Sequence, residues 1–191
     1  MPSPKAAKTH ALQSKWRVWF TDDNKKAKNY EDRIHDLGVF STVEELWSWL
    51  SNLQSPSALP ISTDYHIFRD GVKPMWEDDT NRAGGKWTLK VRKTLTPRLW
   101  EALVLGVVGG QFGEGVDEDI CGVVMSVRHG EDSISVWHKS GRDGGIRSAL
   151  LIKMKSILEI PDECHLDYKT HDAALSHFHN NQRTEPEERQ L

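Results

Sequence analysis

From Ile120 to Lys139 apolar and polar residues alternate in two runs joined by His129-Gly-Glu-Asp132, and a half-buried β-hairpin is the arrangement that satisfies such a pattern. A four-residue loop places Arg128 opposite Ser133. Counting by twos from that pair puts Val124, Ser126, Arg128, Ser133, Ser135 and Trp137 on one face and Met125, Val127, Ile134 and Val136 on the other. The second face is core. The first carries an arginine and a tryptophan on a mostly polar surface. It reads either as an ordinary solvated sheet face or as one that meets a ligand.

The remaining elements must complete a sheet around this hairpin. Leu12 to Thr21 alternates, with Trp16, Val18 and Phe20 on one face and Lys15, Arg17 and Trp19 on the other. Further strands are expected at 64–69, at 85–93, where Trp87, Leu89 and Val91 alternate with Lys86, Thr88, Lys90 and Arg92, and near His165 to Tyr168. Ser41 with Glu44 has the form of a capping box that opens a helix carrying Val43, Leu46, Trp47 and Leu50. Trp47 and Trp49 are two apart and cannot share a narrow stripe, so one of them lies on the rim or outer face. Thr96-Pro97 starts a second helix, stopped by Gly109-Gly110, and a third runs from about Ile146 to Leu158. At least five strands and three helices without regular β-α-β alternation predict an α+β fold: one antiparallel sheet, helices on one face, the other face open.

One domain is expected over the 191 residues, with an ordered core at about 10–175, a flexible arm at 1–9 and a polar tail at 176–191. No apolar run approaches a membrane span, and no apolar segment follows the first residues as it does in a signal peptide. Cys121 and Cys164 read as reduced structural thiols. A soluble, nucleocytoplasmic protein is the expectation.

The loop from Val72 to Trp87 sets Trp76 beside Glu77, Asp78 and Asp79 between Pro, Asn and Gly residues, and leads into a basic strand. Trp76 is there either as a loop anchor or as an aromatic plate with an acceptor beside it. Tyr30 ends the charged loop 22–29 and is likewise an aromatic without apolar sequence neighbours. The net charge of −3 conceals two basic islands: Lys86, Lys90, Arg92, Lys93 and Arg98, then Lys139, Arg142, Arg147, Lys153 and Lys155. They fit solvated faces, or a short phosphate chain better than a duplex track. The sets that catalysis requires are missing: Gly84-Gly-Lys86 lacks P-loop spacing, there is no HExxH, Cys-x-x-Cys or Gly-x-Ser-x-Gly, and His177 and His179 fall in the polar tail. No enzyme activity, cofactor or metal is expected.

Met75-Trp-Glu-Asp-Asp79 with Asn81, Gly84-Gly-Lys-Trp87, His10-Ala-Leu-Gln with Trp16 and Trp19, Thr42-Val-Glu-Glu-Leu-Trp47, Cys121-Gly122 and Val127-Arg128 through Trp137 resemble the eukaryotic translation initiation factor 4E family, over most of residues 10–170. The resemblance implies a single curved antiparallel sheet with three helices on the convex face and a slot for the 7-methylguanosine 5′ cap of mRNA on the concave face. It implies that Tyr30 and Trp76 sandwich the base and that Glu77 accepts from its N1–H and N2–H. Trp137 would meet the methyl group, and Arg128 and Lys86 the phosphates. It also implies a back surface of His10, Val43, Trp47 and Leu105 for partners carrying a Tyr-x4-Leu-hydrophobic helix. Tyr30 and Ser133 stand where initiating members carry Trp and Lys. Asn29-Tyr30-Glu31 and Trp100-Glu101 resemble the second class, the 4E-homologous proteins, which implies a monomeric cytoplasmic cap-binding repressor recruited with partners. The alternative is a full initiation factor that recruits the scaffold protein.

Overall fold

The computed structural model describes residues 9–24, 26–27 and 29–172. The elements are β1 (Ala11–Thr21), β2 (Ile34–Thr42), α1 (Val43–Asn52), β3 (Asp64–Arg69), α2 (Asp79–Arg82), β4 (Gly85–Val91), α3 (Thr96–Val108), β5 (Ile120–Ser126), β6 (Asp132–His138), α4 (Gly144–Leu158) and β7 (Asp167–Thr170). The strands form one seven-stranded sheet in the order β2-β1-β3-β5-β6-β4-β7, antiparallel at every pairing. Apart from Thr9, the predicted N-terminal arm lies outside the described residues, as do the tail from 176 and His177 and His179. No described helix is long and apolar enough to cross a membrane.

The period-2 pattern decides the layering. Trp16, Val18, Ile67, Leu89, Val123, Met125, Ile134 and Val136 point to one face, where Leu99, Trp100, Leu103 and Val104 of α3 and Leu150, Met154 and Leu158 of α4 close the main core. Burial of side chains of this size stabilises by about 1.5–3 kcal/mol each. The opposite face, the front, carries a smaller cluster of Phe68, Val72, Cys121, Val124 and Trp137, with Trp76 packed against it. Both cysteines are free thiols.

The hairpin register differs from expectation by two residues. Ser133 pairs with Ser126, and Arg128 stands in the loop. Asp132 causes this: its buried carboxylate accepts from the Arg128 amide at 3.2 Å, Lys93 Nζ at 2.7 Å and Thr96 Oγ1 at 2.8 Å, which holds the loop wide. A shift of two preserves parity, so every face assignment survives. Gly122 stands opposite Trp137 beyond a bulge, and a Cβ there would lie 2.5 Å from the Phe68 ring.

Asp132→Ala should therefore lower stability by roughly 3 kcal/mol, since it strands a Lys and a hydroxyl around a buried carboxylate site. Burial alone would raise the Asp132 pKa, but hydrogen bonds from Lys93, Thr96 and Arg128 hold it below the ordinary value of 3.8. A depressed folded-state pKa gives stability that is full above the unfolded-state pKa of about 4 and lost as pH falls below it. Urea midpoints at neutral pH and near pH 3 should thus converge between wild type and variant, and a constant gap would remove the carboxylate from the explanation.

Several expected boundaries move. The capping box lies one residue on, Thr42 with Glu45, because Glu44 turns away to bind His10. Thr96 is the first residue of α3 and not its cap, its hydroxyl being taken by Asp132. The last strand is 167–170 instead of 165–168. The Trp76 loop contains the one-turn helix α2, capped by Asp78. Strand β2 was not foreseen: it is the sheet edge, with Leu37 and Val39 at 39% and 36% exposed, so burial on one side imposed no clean alternation.

Candidate functional site

On the front of the sheet a cavity of about 490 Å³ is lined by residues that include Tyr30, Trp76, Glu77, Lys86, Arg128 and Trp137. The six residues that the family resemblance assigns to the cap are thus brought to one place. The volume falls in the ordinary range for a small-molecule site.

The Trp76 loop is held by its own sequence. The buried Asn81 amide donates to the carbonyls of Lys73 at 2.7 Å and Met75 at 2.8 Å, and Asp78 accepts from the amides of Lys73 and Thr80. Pro74 removes one donor that would otherwise need a partner. Trp76 is left half-buried against the front cluster and Glu77 exposed, with no described group bonded to its carboxylate. Tyr30 ends the other loop, which Arg33 closes by donating to the carbonyl of Asp22, the residue after β1, at 2.9 and 2.5 Å. Tyr30 as a whole is 45% exposed, while burial of its hydroxyl end first, and then Asp64, push the phenol pKa upward, so the hydroxyl keeps its proton. Lys73 Nζ reaches Glu31 Oε1 at 3.7 Å and links the two loops, though a pair this exposed contributes little.

The inner end of the cavity is cationic. Lys86 Nζ sits 5.3 Å from the centroid of Trp137, and its pKa is lowered by burial first and then by Lys169, its cross-strand neighbour. Trp137 is buried, packed edge-on by Phe68 at 5.5 Å and by His171 at 4.3 Å, so its position is fixed by protein contacts. Arg128 Nη2 lies 2.8 Å from Asp64 Oδ1 and its Nη1 donates to the Val127 carbonyl, which aims a partly exposed guanidinium along the front face. Ser133 faces the same way, between Ser126 and Lys90.

Sequence reasoning missed Asp64, His66 and Arg33, which also line the cavity. The signal for the first two was available: Asp64 and His66 alternate with Tyr65 and Ile67, so they face away from the core. Arg33 had no such signal. The two basic islands come apart: Lys86 and Lys90 face the front, whereas Lys93 serves Asp132, Arg98 pairs with Glu159, Arg142 with Asp172, and Arg147 covers Tyr168.

On the helix side Trp47 is the outward member of its pair, 46% exposed, while Trp49 packs against the core. His10 and Val43 adjoin each other at the start of the same helix, the Val43 amide donating to the His10 carbonyl at 2.9 Å. The His10 amide and then its ring hold Glu44 well down, at about 2. Leu105 is half-buried on α3, beside which Glu101 is exposed.

Three comparisons bear on this arrangement. A protein named eukaryotic translation initiation factor NCBP from Oryza sativa subsp. japonica is 40% identical over 168 residues, 87% of this chain and 73% of its own. The structure of C. elegans eIF4E-3 in complex with the 4E-binding protein Mextli and a cap analogue superimposes with a TM-score of 0.85 at 33% identity, covering 88% of this chain and 96% of that one. Ascaris suum eIF4E-3 in complex with the m7G cap gives 0.81 at 34% identity, covering 86% and 92%. The family model for eukaryotic initiation factor 4E matches residues 11–186, and with these relatives it shows that the chain belongs to that family.

Proposed function

We propose that the front cavity binds the 7-methylguanosine 5′ cap of mRNA and that the protein regulates translation through it, as a non-enzymatic, cytoplasmic, monomeric repressor recruited with partner proteins. The observation that carries this reading is the joint placement of Tyr30 and Trp76 at one cavity, with Glu77 beside them and Lys86 and Arg128 within. A base methylated at N7 carries delocalised positive charge, so stacking of roughly 1–3 kcal/mol gains a cation–π contribution. Glu77 accepts two hydrogen bonds from guanine that adenine does not offer. Lys86 and Arg128 meet the phosphates. The relatives crystallised with a cap analogue and with m7G support the same ligand.

The repressor reading rests on Tyr30 and Ser133, a smaller plate and one cation fewer, which weaken cap binding relative to initiating members. The name of the rice relative supports the second reading, an initiation factor that recruits the scaffold protein. Titration with 7-methyl-GTP while following Trp fluorescence tests cap binding: quenching is expected, and quenching equal to that by unmethylated GTP would end the proposal. Ser133→Lys should tighten binding about 3- to 10-fold at low ionic strength, with the gain shrinking as the Debye length falls from about 10 Å at 0.1 M to about 3 Å at 1 M salt. A gain that ignores salt would mean that position 133 does not face phosphate.

A further inference from the structure

His66 has one ring nitrogen committed and the other free. It lies on β3 between Trp19 of β1 and Val124 of β5 and lines the front cavity, yet it is only 2% exposed. Nε2 is 2.7 Å from Thr21 Oγ1, while Nδ1 is buried without a partner. An unmet buried polar atom costs about 1–3 kcal/mol, a cost that a ligand atom in the cavity can lift.

The neighbours set which nitrogen bears the proton. Thr21 Oγ1 is the one side-chain atom within hydrogen-bond distance of the His66 ring among the described residues. When the Thr21 hydroxyl donates to His66 Nε2, the ring proton of the neutral imidazole is left on Nδ1, the form that can meet an oxygen acceptor. Burial, chiefly, holds the ring neutral, with a pKa near 4; Asp64 opposes this, and Lys86 and Arg128 reinforce it. Those same two cations are the ones assigned to the phosphates, so the polar chain of a bound cap passes His66, while the edge of the base belongs to Glu77.

We propose that His66 donates its Nδ1–H to a ribose or phosphate oxygen of the ligand in the front cavity, a specificity-determining contact that rests on the cap-binding reading.

Two substitutions separate this role from a structural one. His66→Gln reaches Thr21 with its amide but has no group at Nδ1, whereas His66→Asn places an amide near Nδ1 and gives up Thr21. By fluorescence titration, His66→Gln is expected to weaken 7-methyl-GTP binding roughly tenfold and His66→Asn to retain most of it. A loss shared by 7-methylguanosine assigns the oxygen to the ribose, and a loss confined to 7-methyl-GTP assigns it to the phosphate; either supports the contact. Ring nitrogen NMR of the free protein should show the Nδ1–H tautomer. Wild-type affinity in His66→Gln, weaker binding by His66→Asn than by His66→Gln, or an Nε2–H tautomer overturns it. Failure of the wild type to bind 7-methyl-GTP at all overturns the cap-binding reading itself, a result distinct from equal wild-type and variant affinities.

Discussion

Glu77→Ala should abolish retention on immobilised 7-methyl-GTP and leave the fold intact. Two charge-assisted hydrogen bonds at about 1.5–3 kcal/mol each correspond to a loss of at least roughly 100-fold. The stability side of the prediction follows from exposure: the Glu77 carboxylate meets no described partner, and surface changes of that kind stay within about 0.5 kcal/mol. Glu77→Gln, which keeps one acceptor, should fall between. Binding by isothermal calorimetry and thermal unfolding on the same samples give the answer. Retained affinity in Glu77→Ala would mean that the cavity does not read the guanine edge.

The second large effect is expected on the other side of the molecule. Trp47 is 46% exposed on α1, which leaves a large aromatic surface for a partner to cover. Trp47→Ala should weaken binding of a helical peptide with a Tyr-x4-Leu-hydrophobic motif by at least about 30-fold, the loss typical of an aromatic hot spot. Affinity for 7-methyl-GTP should not change, because the indole and the front cavity lie on opposite faces of the sheet. Unaltered peptide binding would displace the partner surface from α1. The same measurement with the scaffold's peptide separates the two readings of function: strong scaffold binding that depends on Trp47 would favour initiation over repression.

Recovery of the site from sequence depended on the kind of information each residue carries. Trp137 and Arg128 were assigned to the front by alternation, which needs only the period of a strand, whereas helical spacing showed only that one of Trp47 and Trp49 lies outside and the family resemblance chose Trp47. Tyr30 and Trp76 were visible as aromatics in charged, turn-rich loops. Asp64 and His66 carried the same alternation signal but sat in a short run whose pairing partners were unknown. Arg33 and Lys169 carried none, since Arg33 is placed by its bond to the Asp22 carbonyl just past β1 and Lys169 bears on the cavity only through its pairing with Lys86 of β4.

The sequence by itself determined which side chains share a face. That is why a hairpin register wrong by two residues still placed Ser126, Ser133, Ser135 and Trp137 together: parity survives any even shift. Only the tertiary structure decided which strands are neighbours, and hence that Asp64 and His66 of β3 meet Arg128 from the β5–β6 loop and Lys86 of β4 around one cavity. It also sent Arg142 and Arg147 to partners of their own. Local periodicity is written in adjacent residues, whereas strand order is settled by burial and hydrogen bonding summed over the whole sheet, and no short stretch of this chain contains that sum.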